Sequence, residues 1–479
     1  MRGPPASAAA SRSPPAHSAA GIPAPTAGPS TPWGTALTER AAAAILDLEP
    51  VAGVTPAALD ISRIELPPRL RPTASVGVLD ITEFFGDTTG GVRTYLLEKA
   101  KFVQRHPELR QVLVVPGAED DILEASGVRC YRLHGPHIPT QKPYRFMLAT
   151  RSTTRIVAHE RPDLIEVGSA WCAPWLVHLA TRGLRVPAVW FYHSNFPRII
   201  APRPHSAGWA RLTASALAWR YVRRLGGLVQ ATIAPTQAVV RELESAGVAN
   251  VVHVPLGVDL DRFTPVRRAR AEETRLRFGL PAGPLAIYAG RMAAEKDIDL
   301  LLEGWLEVER RTGARLVLVG AGPALRRLRR TRGGRRAFWL PYQRDRDLLA
   351  DLYAAVDLYV APGSAETFGL SAMEGMASGL PVLSVDRGGV AEAVSLSGAG
   401  CLYTSGDPRH LAACAIDLFE QDPPALGRRG RRYAEEHHGW DVVLGRLFDV
   451  YRRVLGVRSH PERSEGGMTP LMPPSLRSG

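Results

Sequence analysis

Residues 366–374 read E-T-F-G-L-S-A-M-E, from Glu366 to Glu374. Just upstream, Leu358-Tyr359-Val360-Ala361 has the character of a buried strand end. Downstream, the spacing predicts a helix over 371–378, stopped by Gly379 and Pro381. The order is strand, loop with a carboxylate, helix N-terminus, second carboxylate about one turn in. The first N–H groups of a helix lack internal partners, so such a junction attracts anions. Two flanking carboxylates are surplus for phosphate alone. They suit hydroxyl groups on either side of it, as in a sugar nucleotide.

The same alternation runs outward in both directions. In the first half, strands are predicted at 75–80, 111–115, 164–167, 188–192 and 228–234, with a helix over 93–104. In the second half, strands are predicted at 285–289, 315–319, 337–339, 358–360, 381–384 and 400–403, with helices over 298–310 and 345–355. Strands alternating with helices imply right-handed βαβ units and parallel sheets. The fold class is therefore α/β, with two Rossmann-like doubly wound domains facing a central cleft. The expected division is 1–72, a disordered Pro/Ala-rich extension; 73–265, an N-terminal Rossmann-like domain; 266–439, a C-terminal Rossmann-like domain; 440–456, a closing helix; and 457–479, a disordered tail. The charged stretch within 256–284 reads as the linker. No repeat of fixed period is present.

Folds of this kind bind ligands at the carboxyl ends of their strands. Gly290-Arg291 follows one such end, and Lys296 lies five residues further on. Two cations there suit a diphosphate and the charge it gains as a leaving group. The competing reading pairs them with Glu295 or Asp297. Gly90-Gly91, in the first strand-to-helix loop, permits close approach of backbone N–H groups to an anion. His193 ends an apolar strand beside Ser194 and Asn195, placed to bond a sugar hydroxyl or to manage a proton. Gly320-Ala321-Gly322-Pro323 is a glycine loop suited to a nucleotide. It is no dinucleotide fingerprint, which needs G-x-G-x-x-G and a later acid. Asp386 to Gly389 reads as a turn. The chain has neither G-x-x-x-x-G-K-[ST] nor G-x-S-x-G, which disfavours P-loop ATPases and ordinary α/β-hydrolases.

The chain has 479 residues, 45% hydrophobic, and a net charge of +12. No window approaches the roughly 20 apolar residues that span a bilayer. Four scattered cysteines form neither a zinc motif nor a disulfide scaffold and fit a reducing cytoplasm. Of 59 basic residues, four are lysine (Lys99, Lys101, Lys142 and Lys296). Where arginine is the default cation, a lysine at 296 stands out for its compact charge. The arginine cluster at 326–336 lacks aromatics and reads as a solvated helix and loop, with anionic lipid as the alternative contact.

In sequence order, G-R-x4-K at 290–296, G-x-G-P at 320–323, E-x7-E at 366–374 and the Leu256-Gly257-Val258-Asp259 to Pro265 stretch resemble the retaining GT-B glycosyltransferases. Residues 75–456 carry that resemblance. The Tyr192–Pro197 stretch is similar to the subgroup of lipid mannosyltransferases and sulfoquinovosyltransferases. The resemblance implies that Arg291 and Lys296 hold the donor diphosphate and that Glu366 contacts the donor sugar. Phe368, Gly369 and Leu370 would offer backbone N–H groups, and Glu374 would bind the ribose. Gly91 would approach the phosphate from the other domain, and His193 would touch the sugar. Gly290, Gly320 and Gly322 complete the donor-binding set. It further implies hexosyl transfer from a nucleoside diphosphate sugar, with no metal and no other cofactor. The acceptor would be a lipid or saccharide hydroxyl, with docking to an anionic membrane face and no nucleic acid as partner. Two rivals stay open: a sugar-nucleotide epimerase, and a basic membrane- or nucleic-acid-binding module; a phosphorylase on the same fold would need a pyridoxal-phosphate lysine, and the lysines are too few and poorly placed.

Overall fold

The computed structural model describes residues 49–51, 59–86, 90–139, 144–200, 208–421 and 423–456. The extension before residue 49 and the tail from 457 lie outside them. Two sheets organise the chain. The first holds β1 (Glu49–Pro50), β2 (Val76–Ile81), β3 (Leu109–Gly117), β4 (Asp121–Ala125), β5 (Val128–His134), β6 (Leu164–Val167), β7 (Ala188–Phe191), β8 (Ala231–Ala234) and β9 (Val251–His253). The second holds β10 (Leu285–Ala289), β11 (Arg315–Val319), β12 (Phe338–Leu340), β13 (Leu358–Ala361), β14 (Val382–Val385) and β15 (Gly400–Tyr403).

The second sheet is wholly parallel, in the order β12-β11-β10-β13-β14-β15. The first runs β1-β4-β5-β3-β2-β6-β7-β8-β9, parallel except for β1 and β4 at one edge. In the second sheet, and in the first from β2 onward, the chain begins near the middle, works to one edge, then returns and works to the other. That leaves a crevice at the reversal, between β2 and β6 in one half and β10 and β13 in the other. The strands that frame these crevices are buried on both faces, as their apolar runs require.

Most predicted elements stand within a residue or two. The departures have physical causes. The β4–β5 hairpin was not foreseen; it turns on Ser126-Gly127, with Gly127 at φ +75°. The strand expected from 228 begins only at Ala231. The disordered reading of 1–72 fails for residues 59–72. Ile61 and Leu66 are buried in the first half's core, and Arg129 donates to the carbonyls of Pro67 and Pro68 at 3.3 and 2.8 Å. Arg71 donates to Val103, His106 and Leu109 carbonyls at 2.8–3.1 Å. Composition bias does not register such long-range capture. The charged 265–278 stretch is no free linker either: Arg267 pairs with Asp351 at 2.6 Å and Arg268 with Asp357 at 2.8 Å, fixing it to the second half. In the basic cluster a single helical turn, Leu325–Leu328, is followed by turns. Arg327 pairs there with Asp299, and Arg336 with Glu309.

The halves are joined twice. Val258 N–H donates to the His438 carbonyl at 2.7 Å, so the outgoing and returning chains run side by side. Gly257 is needed there, because a Cβ would lie 2.5 Å from the Trp440 ring. The closing helix, Trp440–Val454, then crosses back onto the first half and buries Val443, Leu447, Phe448 and Tyr451. Its Tyr451 hydroxyl reaches Lys99 at 2.7 Å inside the first domain. Among the described residues, no helix is long and apolar enough to cross a membrane.

Candidate active site

Both crevices open toward one another, and the predicted residues gather at their mouths. After β10, Gly290-Arg291 leads into a short 3-10 turn, Ala294–Lys296. Asp297 at φ +51° reverses the chain into the helix Ile298–Thr312, and its carboxylate accepts from Ser364 N–H and Oγ at 3.3 and 3.1 Å. That bond ties the Lys296 turn to the loop after β13. Lys296 Nζ pairs with Glu366. The rival pairing of Lys296 with Glu295 or Asp297 does not occur. The lysine stem passes over Gly363, where a Cβ would lie 3.4 Å from its Cδ.

Gly369, at φ +86°, caps the helix Leu370–Ala377. Within the described residues the N–H groups of Phe368, Gly369 and Leu370 find no backbone or side-chain acceptor. They form the exposed positive end of that helix. The Phe368 side chain is buried against His438, ring centroids 5.4 Å apart, so only its backbone faces the site. Gly388 and Gly389 brace this loop from behind: Gly389 N–H donates to Glu366 O at 2.8 Å, and a Cβ on Gly389 would sit 2.3 Å from Thr367 O.

Glu374 is 2% exposed. Burial pushes its carboxyl up, opposed by Arg346, with which it pairs, and by Tyr353. Arg346 stacks over Phe263 at 5.0 Å. No sequence signal marked Arg346, because its role depends on a neighbour 28 residues away.

Gly320 and Gly322 stand behind the Arg291 loop rather than at its open face. At Gly320 (φ +144°) a Cβ would lie 2.0 Å from Gly290 O, and at Gly322 (φ +157°) one would lie 2.3 Å from Met292 O. They let two backbones touch and so fix Arg291. Gly320→Ala is expected to cost about 1–3 kcal/mol through backbone strain and crowding, and to raise the donor KM by displacing Arg291. Urea midpoints and KM values at wild-type levels would refute this account of the loop.

From the first half, Gly91 begins the helix Gly91–Arg105, with open space around its Cα. Tyr95, one turn in, lies 5.0 Å from the His193 ring, which stacks on Phe191 at 4.1 Å. Among the described residues His193 Nε2 is buried without a partner. Burial, assisted by Lys99, lowers this imidazole to about 3, so it is neutral at physiological pH and a weak base. The halves meet here. Thr367 Oγ1 donates to the His193 carbonyl at 2.7 Å, and Thr236 Oγ1 to the Thr367 carbonyl at 3.1 Å. Across the other wall, Arg291 lies over the Tyr144 ring at 5.9 Å. Thr367 and Tyr144 were not singled out in the sequence; only the meeting of the halves gives them a role. Among the described residues, no group of three or more His, Cys, Asp or Glu side chains is gathered as a metal site would need.

Two facing parallel sheets, with cations and carboxylates at their reversal points, define a two-domain α/β enzyme with a cleft built for a charged ligand bearing hydroxyls. The comparisons narrow this. The sequence pattern of Glycosyl transferases group 1 matches residues 283–421, and that of Glycosyltransferase Family 4 matches 89–262. A GDP-mannose-dependent alpha-(1-6)-phosphatidylinositol dimannoside mannosyltransferase of Mycobacterium tuberculosis is 28% identical over 364 residues, covering 75% of this chain and 91% of that protein. Sulfoquinovosyl transferase SQD2 of Arabidopsis thaliana is 30% identical over 312 residues, 64% of this chain and 59% of that one. Among solved structures, sucrose-phosphate synthase from Thermosynechococcus elongatus superposes with a TM-score of 0.65 at 21% identity, covering 80% and 99% of the two chains. Anabaena HepE with UDP and glucose gives 0.60 at 19%, covering 78% and 98%. The second half carries a group 1 glycosyltransferase domain and the first a Family 4 glycosyltransferase domain; the chain has the GT-B fold and is a hexosyltransferase.

Proposed function

We propose that the enzyme takes mannose from GDP-mannose and passes it, with retention at the anomeric carbon, to a hydroxyl of a membrane glycolipid. The observation that carries this is the Lys296–Glu366 pair at the β10/β13 reversal, closed over by His193 through Thr367. The donor diphosphate lies against Arg291, Lys296 and the free N–H groups at Phe368 to Leu370. Glu366, released from Lys296 as the diphosphate replaces it, holds sugar hydroxyls. Glu374, steadied by Arg346, takes the ribose. The acceptor hydroxyl attacks on the face the diphosphate leaves, and a leaving phosphate oxygen accepts its proton. A neutral His193 contacts the sugar and is too weak a base to take that proton. Two fixed cations offset the leaving charge, so the reading needs no metal. Closure of the halves keeps water out.

GDP-mannose is favoured over UDP-hexoses by the relatives, several of which are GDP-mannose-dependent mannosyltransferases. The net charge of +12 suits docking at an anionic, cytoplasmic membrane face. The test is turnover with GDP-mannose, UDP-glucose and UDP-sulfoquinovose, each with and without lipid extract, products being read by mass. Mannosylated lipid from GDP-mannose, unaffected by EDTA, is expected. Isomerised donor without acceptor would make the enzyme an epimerase, and transfer from a UDP-sugar alone would overturn the donor assignment.

A further inference from the structure

A second cavity, of about 510 Å³, lies between the halves on the far side of the Phe368–Gly389 wall. Its size is that of small-molecule sites generally. Arg429 and Arg432 enter it from the helix Pro423–His437, which Arg431 fastens to the second half through the carbonyls of Phe263 and Ala377. Arg446 enters from the closing helix, which sits on the first half. Among the described residues, none of these three arginines has a carboxylate partner. Of the two carboxylates in the lining, Glu392 is engaged elsewhere, while Glu436 is exposed beside His437 in the same lining. Glu392 accepts from the Gln237 and Ala238 N–H groups at 2.9 and 2.6 Å. Glu436 lies 3.8 Å from His437.

His438 also lines the cavity. His438 is 5% exposed, and its Nδ1 bonds the Leu256 carbonyl at 3.0 Å. That bond places the ring proton on Nδ1 and leaves Nε2 an acceptor. Among the described residues Nε2 is buried and has no partner. Phe368, Leu396 and Tyr433 supply apolar lining beside the charge. Three cations without carboxylate partners among the described residues, beside an apolar wall, describe one ligand chemistry: an organic anion.

We propose that this cavity binds an organic phosphate of sugar-phosphate size, and that the bound anion holds the two halves together beside the paired crossings at Val258 and His438. Cations from both halves converge on one anion, so binding favours the arrangement in which they are near each other. The site is separate from the donor cleft: none of its arginines lies on the β10 or β13 loops.

The experiment is arginine labelling of the full chain with phenylglyoxal, mapped by mass, with and without inorganic pyrophosphate or glucose 6-phosphate. Several-fold slower labelling of Arg429, Arg432 and Arg446 is expected, equally in wild type and Lys296→Ala. The Arg432→Gln/Arg446→Gln variant is expected to lose the anion's thermal stabilisation while keeping its basal rate within about twofold. Unchanged labelling overturns the proposal. So does protection that vanishes in Lys296→Ala, which would place the anion in the donor cleft. Protection by phosphatidylglycerol vesicles but not by the soluble anions would make the cluster a membrane contact and also overturn it.

Discussion

Lys296→Ala is expected to lower kcat by about 10²–10³-fold, roughly 3–4 kcal/mol of transition-state stabilisation, the usual loss when one fixed donor to a developing anion is removed. The thermal midpoint should stay near wild type. Lys296 is at the surface of the cleft, its side chain 22% exposed, and its one ion pair is with a partly exposed partner, Glu366. Such a pair adds little to stability. The helix after it begins from Asp297 and Ser364, not from the lysine. The loss therefore falls on chemistry.

Lys296→Arg should recover little of that rate. The lysine stem runs along Gly363, where a Cβ would come into ordinary contact with its Cδ at 3.4 Å. A guanidinium is wider and planar, and its fork cannot be placed where a compact ammonium sits. Steady-state rates under saturating donor and acceptor separate these outcomes. A Lys296→Ala enzyme turning over within about threefold of wild type would remove the lysine from the mechanism.

How far the sequence led depends on the range of each interaction. Glu366, Gly369 and Glu374 were legible because strand, glycine and helix follow one another within 20 residues, and each junction is decided locally. Strands buried on both faces, such as Leu285–Ala289, announced themselves as apolar runs. The position of His193 at a strand end was legible. Its neutrality was not, since that follows from Phe191, Tyr95 and Lys99 closing around the ring. The glycines at 320 and 322 were noticed for a nucleotide and turn out to hold two backbones together. A glycine motif reports close approach without saying what approaches. Residues 59–72 were misread because their order comes from Arg71 and Arg129 reaching distant carbonyls, which local composition does not encode.

Lys99 shows the same limit at its strongest, and carries the largest stability effect. It is fully buried, with Nζ 2.6 Å from Asp80, 3.5 Å from Glu166 and 2.7 Å from the Tyr451 hydroxyl, 352 residues further along the chain. Tyr95 donates to Glu166 at 2.8 Å, and Gln111 to Asp80 at 2.7 Å. One lysine thus serves two carboxylates beneath His193. Lys99→Met fills the space but leaves both acids uncompensated, which should cost about 3–5 kcal/mol.

The cost should depend on pH. Burial raises Glu166 from 4.5 to about 7, against the pull of Lys99. A carboxylate whose folded pKa lies above its unfolded value stabilises most below the unfolded pKa and loses that contribution as pH rises through the folded one. Without the lysine, Glu166 rises further. The gap between variant and wild type should therefore be wide at pH 7.5 and narrow toward pH 5, as the proton replaces the missing cation. Tyr451→Phe keeps the lysine but removes the hydroxyl's two hydrogen bonds, from Lys99 and to Glu166, and should lose about 1.5–3 kcal/mol. Urea midpoints at the two pH values decide it. A Lys99→Met protein as stable as wild type at pH 7.5 would mean the closing helix is held by its apolar face alone.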